Sequence, residues 1–282
     1  MTFDQKNTEF KQIIEFFIIT YTFTWLLWLP IVLYTYHLIN ISFEVLLIMG
    51  SLASFGPMVG AFSLTLKNEG KEGFKNLLKK ATKYKLGWWW IPIIFLIPIG
   101  ALLGHLLNIL FFAGKFPITE FILNPWLIPL FFILTLIIGG PLAEEFGWRG
   151  YALPRLQKKW SALNSSLLLG LVWGFWHLPL FFMIGMAHRD YIPIWLFIAN
   201  AIVFSICMTW LMNNTKGSLI PALLIHTWMN VVFVIFPLME PKAGGNFMPW
   251  LLSLLILVIV LIVIIIKYGP ETLSKNEKKM FL

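Results

Sequence analysis

Between Lys242 and Lys267 the chain runs for 24 residues without a charged side chain. That is more than the roughly 20 apolar residues an α-helix needs to cross the hydrocarbon core of a bilayer. The stretch is typical of the whole sequence. Of 282 residues, 59% are hydrophobic and 12% charged, against roughly 25% charged in an average soluble domain. A soluble fold of this length could bury a good core, but this chain could not clothe it. Lipid must serve as the solvent, and the expected fold class is an all-α, polytopic transmembrane helix bundle.

Hydropathy places eight spans, near 12–34, 43–66, 88–113, 122–143, 164–185, 191–212, 218–237 and 247–267. Lysine and arginine test the count, because short cytoplasmic loops collect them. The N-terminal tail, the loops after the second, fourth and sixth spans and the C-terminal end together hold 17 of the 21 basic residues. The other side holds only Lys115, Arg189 and Lys242, and Arg149 lies within a span. Eight spans with both termini cytoplasmic satisfy this asymmetry. It also accounts for the net charge of +8 without nucleic acid as a partner; the bilayer is the partner. A single cysteine, Cys207, excludes an intrachain disulfide. The apolar stretch from Ile13 to Tyr34 is too long for a signal-peptide core and reads as a retained first helix.

Three smaller features concern architecture. Phe74, Leu77, Leu78, Ala81 and Tyr84 recur at helical spacing among lysines, which predicts an amphipathic helix over 67–87 lying in the cytoplasmic interface. Trp88, Trp89 and Trp90 mark the headgroup level beside it. Gly56 and Gly60 form a small-xxx-small pair that permits close helix packing. There is no internal repeat or linker. The chain reads as one integral membrane domain: 1–121 with the amphipathic helix, a core over 122–237, and a last span and tail over 238–282.

Ionisable groups within a bilayer are costly and usually functional. Glu15 and Glu44 lie near span ends, His188 falls in a short outer loop, and His105 stands alone, which suggests a neutral imidazole bonded to backbone. The remaining groups cluster: Glu144, Glu145 and Arg149 late in the fourth span, His177 in the fifth, His226 and Asn230 in the seventh. If the fourth helix extends to a turn near 159–163, Glu144 and His177 lie almost equally far from it, at about 24 Å. Glu145 and Arg149 are four apart and can pair as a structural ion pair. Glu144 then points about 100° round the helix, free for chemistry. His226 and Asn230 share a helix face. A free carboxylate, two imidazoles and an amide at middle depth are parts for activating water and stabilising an oxyanion.

Glu144-Glu145-Phe-Gly-Trp-Arg149, Trp173-Gly-Phe-Trp-His177 and His226-Thr-Trp-Met-Asn230 resemble, in order, the EExxxR, FxxxH and HxxxN motifs of the CAAX-protease and bacteriocin-processing family of intramembrane proteases. The resemblance covers roughly residues 122–237, with Trp173 where the family usually has Phe. It implies an endopeptidase of membrane-associated or small peptide substrates in a bacterial cytoplasmic membrane. It implies that Glu144 and His177 activate water while His226 and Asn230 hold the oxyanion. The family has been described both as metalloproteases and as metal-independent glutamate proteases. The cofactor is accordingly none or zinc, with Glu144, His177 and His226 the candidate ligands, although no HExxH helix is present. Two other functions use the same residues. One is a non-catalytic immunity or scaffold protein that binds a peptide or partner helix. The other is a proton-coupled transporter, for which the duplicated halves common in transporters are lacking.

Overall fold

The computed structural model describes residues 3–237 and 247–275, and every regular element among them is helical. The basic tail residues Lys278 and Lys279 lie outside the described residues, as do 238–246. The chain begins with α1 (Phe3–Thr35), followed by α2 (Phe43–Ala53) and α3 (Gly56–Lys79). Next come α4 (Trp90–Phe112), a single turn α5 (Glu120–Leu123), α6 (Ile128–Ile138) and α7 (Pro141–Glu145). A π-helical segment over Phe146–Ala152 joins α7 to α8 (Leu153–Lys159). The chain then turns into α9 (Ala162–Trp176), passes through α10 (Ala187–Tyr191), and continues as α11 (Ile194–Asn214), α12 (Ile220–Ile235) and α13 (Met248–Tyr268).

Among the described residues, six helical stretches are long and apolar enough to cross a membrane, and α2 with α3 makes a seventh as a pair bent by 49°; the apolar 16-residue α12, where an eighth span was expected, falls short of that length. Two spans differ from the continuous helices the hydropathy predicts. The second breaks at Ser54–Phe55, where Thr24 Oγ1 of α1 donates to Ala53 O at 2.8 Å and satisfies a carbonyl near the end of α2. The fourth breaks at Gly139–Gly140, where Gly140 has a φ of 104° that side-chain-bearing residues rarely adopt.

Packing follows the small residues. A Cβ at Gly56 would lie 2.2 Å from Thr24 Oγ1, and one at Gly60 would lie 2.9 Å from Thr20 Oγ1, so α1 and α3 approach backbone to side chain. This is the close contact the spacing predicts. Further along, Gly147 lets the π-helical segment press on Pro57 of α3. α1 also docks on α9, where Trp25 Nε1 donates to Trp176 O at 3.0 Å. α9 packs on α11 and α4 on α13, while α12 contacts α4, α6, α7 and α11 and so occupies the centre.

The amphipathic segment is a second helix, set off from the membrane-spanning part of α3 by non-helical backbone. It continues α3 beyond a break at Gly70 (φ 66°, ψ −164°) and ends at Thr82 after one 3-10 turn. Its apolar side meets protein as well as lipid: Leu77 is buried against Gly150, and Phe74 packs edge-on against Phe62. Lys71, Lys75 and Lys79 remain exposed. Trp88 is 58% exposed, as a headgroup anchor would be. His105 corrects another expectation. It is fully buried, and among the described residues neither ring nitrogen has a hydrogen-bond partner; the rings of Phe116 and Phe236 lie beside it instead.

Candidate active site

The break at Gly139–Gly140 restarts the helix, and the restart places Glu144 and Glu145. Glu144 N bonds to Gly140 O at 2.9 Å, so the first α-helical turn of α7 carries the carboxylate inward. A Cβ on Gly140 would come within 2.7 Å of Glu144 Oε1. Glycine therefore provides both the positive φ and the room. Gly139 O accepts from Asn230 Nδ2 of α12 at 3.1 Å. Because a carbonyl only accepts, this contact fixes the amide with its nitrogen toward the break.

α9 supplies the opposing wall. It starts after the turn at Trp160–Ser161, where the Ser161 side chain caps it, and ends where His177 is presented. His177 Nε2 lies 4.0 Å from Glu144 Oε2, so the two side chains share a depth, as their distances from the turn predict. His177 Nδ1 is 2.8 Å from Trp173 O. That carbonyl can only accept, so in the neutral ring the proton sits on Nδ1 and the Nε2 lone pair is turned toward Glu144.

Glu144 is not free of partners, contrary to the expectation from helix geometry. Trp173 Nε1 donates to its Oε2 at 2.7 Å. The sequence signal for this contact was the Trp–Phe difference itself, since phenylalanine has no donor at that position. Trp173 binds the cluster together in further ways. The Arg149 guanidinium carbon lies 4.3 Å from its ring centroid, and the His226 ring meets it edge-on at 5.1 Å.

Glu145 has a second task besides pairing with Arg149. Arg149 Nη1 donates to Glu145 Oε1 at 3.0 Å, with both side chains fully buried. The same oxygen is 2.7 Å from His226 Nδ1. His226 is thus oriented by Glu145 and does not bond to Glu144. Among the described residues, no group of three His, Cys, Asp or Glu side chains is placed to hold a metal ion. Glu145 occupies Nδ1 of His226 and leaves its Nε2 open.

Glu144, His177, His226 and Asn230 all line one cavity of about 420 Å³. His188, expected only as a loop residue, also lines it, and its ring stacks on His177 with centroids 6.4 Å apart and planes 12° apart. Its i, i+1 neighbours gave no hint, because the α9–α11 connection folds back over the site only in three dimensions.

Residues 125–232 match the family described as Rce1-like, type II CAAX prenyl endopeptidase. A protein named CAAX prenyl protease 2 from Methanococcus maripaludis is 28% identical over 232 residues, covering 77% of this chain and 82% of the relative. The matched segment spans α6 through most of α12 and contains every residue of the Glu144–His226 cluster. This chain is a multi-pass membrane protein in which residues 125–232 are similar to the Rce1-like type II CAAX prenyl endopeptidases.

Proposed function

We propose that the chain is an intramembrane endopeptidase in which Glu144 and His177 together activate the attacking water. The observation that carries this reading is the 4.0 Å gap between Glu144 Oε2 and His177 Nε2, two acceptors facing one cavity. A gap of that length suits one bridging water. Such a water donates one hydrogen to each acceptor and turns its lone pairs toward the cavity, where a scissile carbonyl is in reach. As the oxygen attacks, Glu144 takes the proton and later delivers it to the leaving amine.

His226 and Asn230 receive the developing oxyanion. The Glu145 carboxylate holds Nδ1 of His226 at 2.7 Å and leaves Nε2 for the cavity, where an N–H on that nitrogen donates to the oxyanion. Asn230 offers the amide hydrogen that Gly139 does not use. Donors held in place before the reaction cost no reorganisation when charge appears. No metal enters this scheme. The catalytic core is 122–237, the remaining helices complete one membrane domain, and the site of action is a bacterial cytoplasmic membrane. The substrate is a membrane-associated or small peptide.

The test is cleavage of a peptide pool by the purified full chain in lipid, followed by mass spectrometry. Glu144→Gln and His177→Ala should each abolish the products while melting in detergent stays at the wild-type value. Combining them should add little, because groups that act as a unit are not additive. A chelator should leave cleavage intact. Products persisting at wild-type level in Glu144→Gln would sink the scheme and leave a binding role for the same residues.

A further inference from the structure

The cavity has a direction across the membrane. α1 begins, and α13 ends, on the side that carries Arg155, Lys158, Lys159 and Lys216. That side holds 15 of the 18 lysines and arginines among the described residues and is therefore cytoplasmic. There the site is closed. Every residue from Phe146 to Leu153 is buried, with Trp148 and Tyr151 packed on Phe16 of α1. Beneath them Lys80 Nζ donates to Gly150 O at 2.7 Å, and Leu219 N donates to Lys80 O at 2.9 Å. The end of α3 and the α11–α12 loop are thereby stitched across the cytoplasmic end of the π-helical segment.

On the other side the same cavity is lined by Ala187, His188 and Tyr191 of α10, and by Pro237 just beyond α12. Gly50 and Ser54, at the break of the second span, complete its rim. α10 connects the ends of α9 and α11 opposite the lysine-rich loops, so this rim belongs to the non-cytoplasmic half. Tyr191 and Ala187 are exposed there.

We infer that substrate reaches Glu144 and His177 from the non-cytoplasmic face, through the rim formed by α10 and the α2–α3 break. The occupant is a peptide segment lying in, or emerging from, the outer leaflet. The inference about a cleaved substrate rests on the proteolytic reading; the side on which the cavity opens does not.

Cysteine labelling separates the two. The native Cys207 is fully buried, so single cysteines at Ala187, Tyr191 and Asn76 can be read against a silent background. Cells expressing each full-length variant are treated with a membrane-impermeant maleimide, intact and after permeabilisation. Ala187→Cys and Tyr191→Cys should label in intact cells, whereas Asn76→Cys, on the lysine-rich side, should label only after permeabilisation. Glu144→Gln should not change this pattern, so a failure of the mechanism leaves the labelling result standing. A bulky adduct placed on Ala187→Cys from outside should then abolish cleavage of the peptide pool. The reverse labelling pattern overturns the inference, as does cleavage at the unmodified rate after full modification of Ala187→Cys.

Discussion

Trp173 Nε1 donates to Glu144 Oε2 over 2.7 Å, and the carbonyl of the same tryptophan holds His177 Nδ1 at 2.8 Å. One residue therefore sets the orientation of both groups proposed to activate water. Trp173→Phe removes the indole N–H and keeps an aromatic ring against Arg149 and His226. The smaller ring fits within the space the indole occupies, so the substitution should fold. A hydrogen bond to a charged group contributes roughly 1.5–3 kcal/mol, so kcat should fall about 10- to 100-fold. KM and the detergent melting temperature should stay near wild type. Unchanged kcat would mean that Gly140 and local packing hold Glu144 without the indole.

Arg149 and Glu145 should separate stability from activity. Both side chains are fully buried, and Arg149→Ala leaves that carboxylate with His226 as its remaining hydrogen-bond partner among the described residues. The expected cost is roughly 3–5 kcal/mol, read as poor accumulation and a lowered melting temperature. Adding Glu145→Gln should restore much of the folding. It should not restore cleavage, because His226 then lacks the carboxylate that orients it. Full recovery of cleavage in the double variant would reduce Glu145 to a partner of Arg149 alone.

Gly140→Ala should harm the reaction more than the fold. The backbone there sits at φ 104°, and strain of that kind costs about 1–3 kcal/mol. The added methyl would also lie within 2.7 Å of Glu144 Oε1, forcing the carboxylate away from His177. Expected is a modest loss of melting temperature with near-complete loss of cleavage. A stability loss without an activity loss would show that Glu144 tolerates displacement.

Asn230 supplies one of two proposed oxyanion donors. Asn230→Ala and the near-isosteric Asn230→Asp should each lower kcat by about 10²–10³-fold, with KM little changed. Retained activity in Asn230→Asp would remove the amide from the oxyanion site and leave only its contact with Gly139 O at 3.1 Å.

The sequence by itself determined the class, the spans and the membership of the cluster, because each depends on a local or one-dimensional property. Charge-free runs such as 243–266 demand a bilayer, lysine placement orders the loops, and helical spacing puts Glu145 beside Arg149 and His226 on the face of Asn230. The shared depth of Glu144 and His177 was also legible, since an antiparallel pair converts equal distance from a turn into equal height. Direction around the helix was not legible. Periodicity assumes an unbroken helix, whereas Gly139–Gly140 and the π-helical segment reset the phase of the fourth span, so helical angle could not report which partner each carboxylate meets. Only the tertiary structure decided that Trp173 bonds to Glu144 and that Glu145 bridges Arg149 and His226. It alone folded His188 over His177. Apart from the Glu145–Arg149 pair, these contacts join residues 11 to 81 positions apart, and they form where packing in three dimensions, rather than spacing along the chain, assigns each buried polar group a partner.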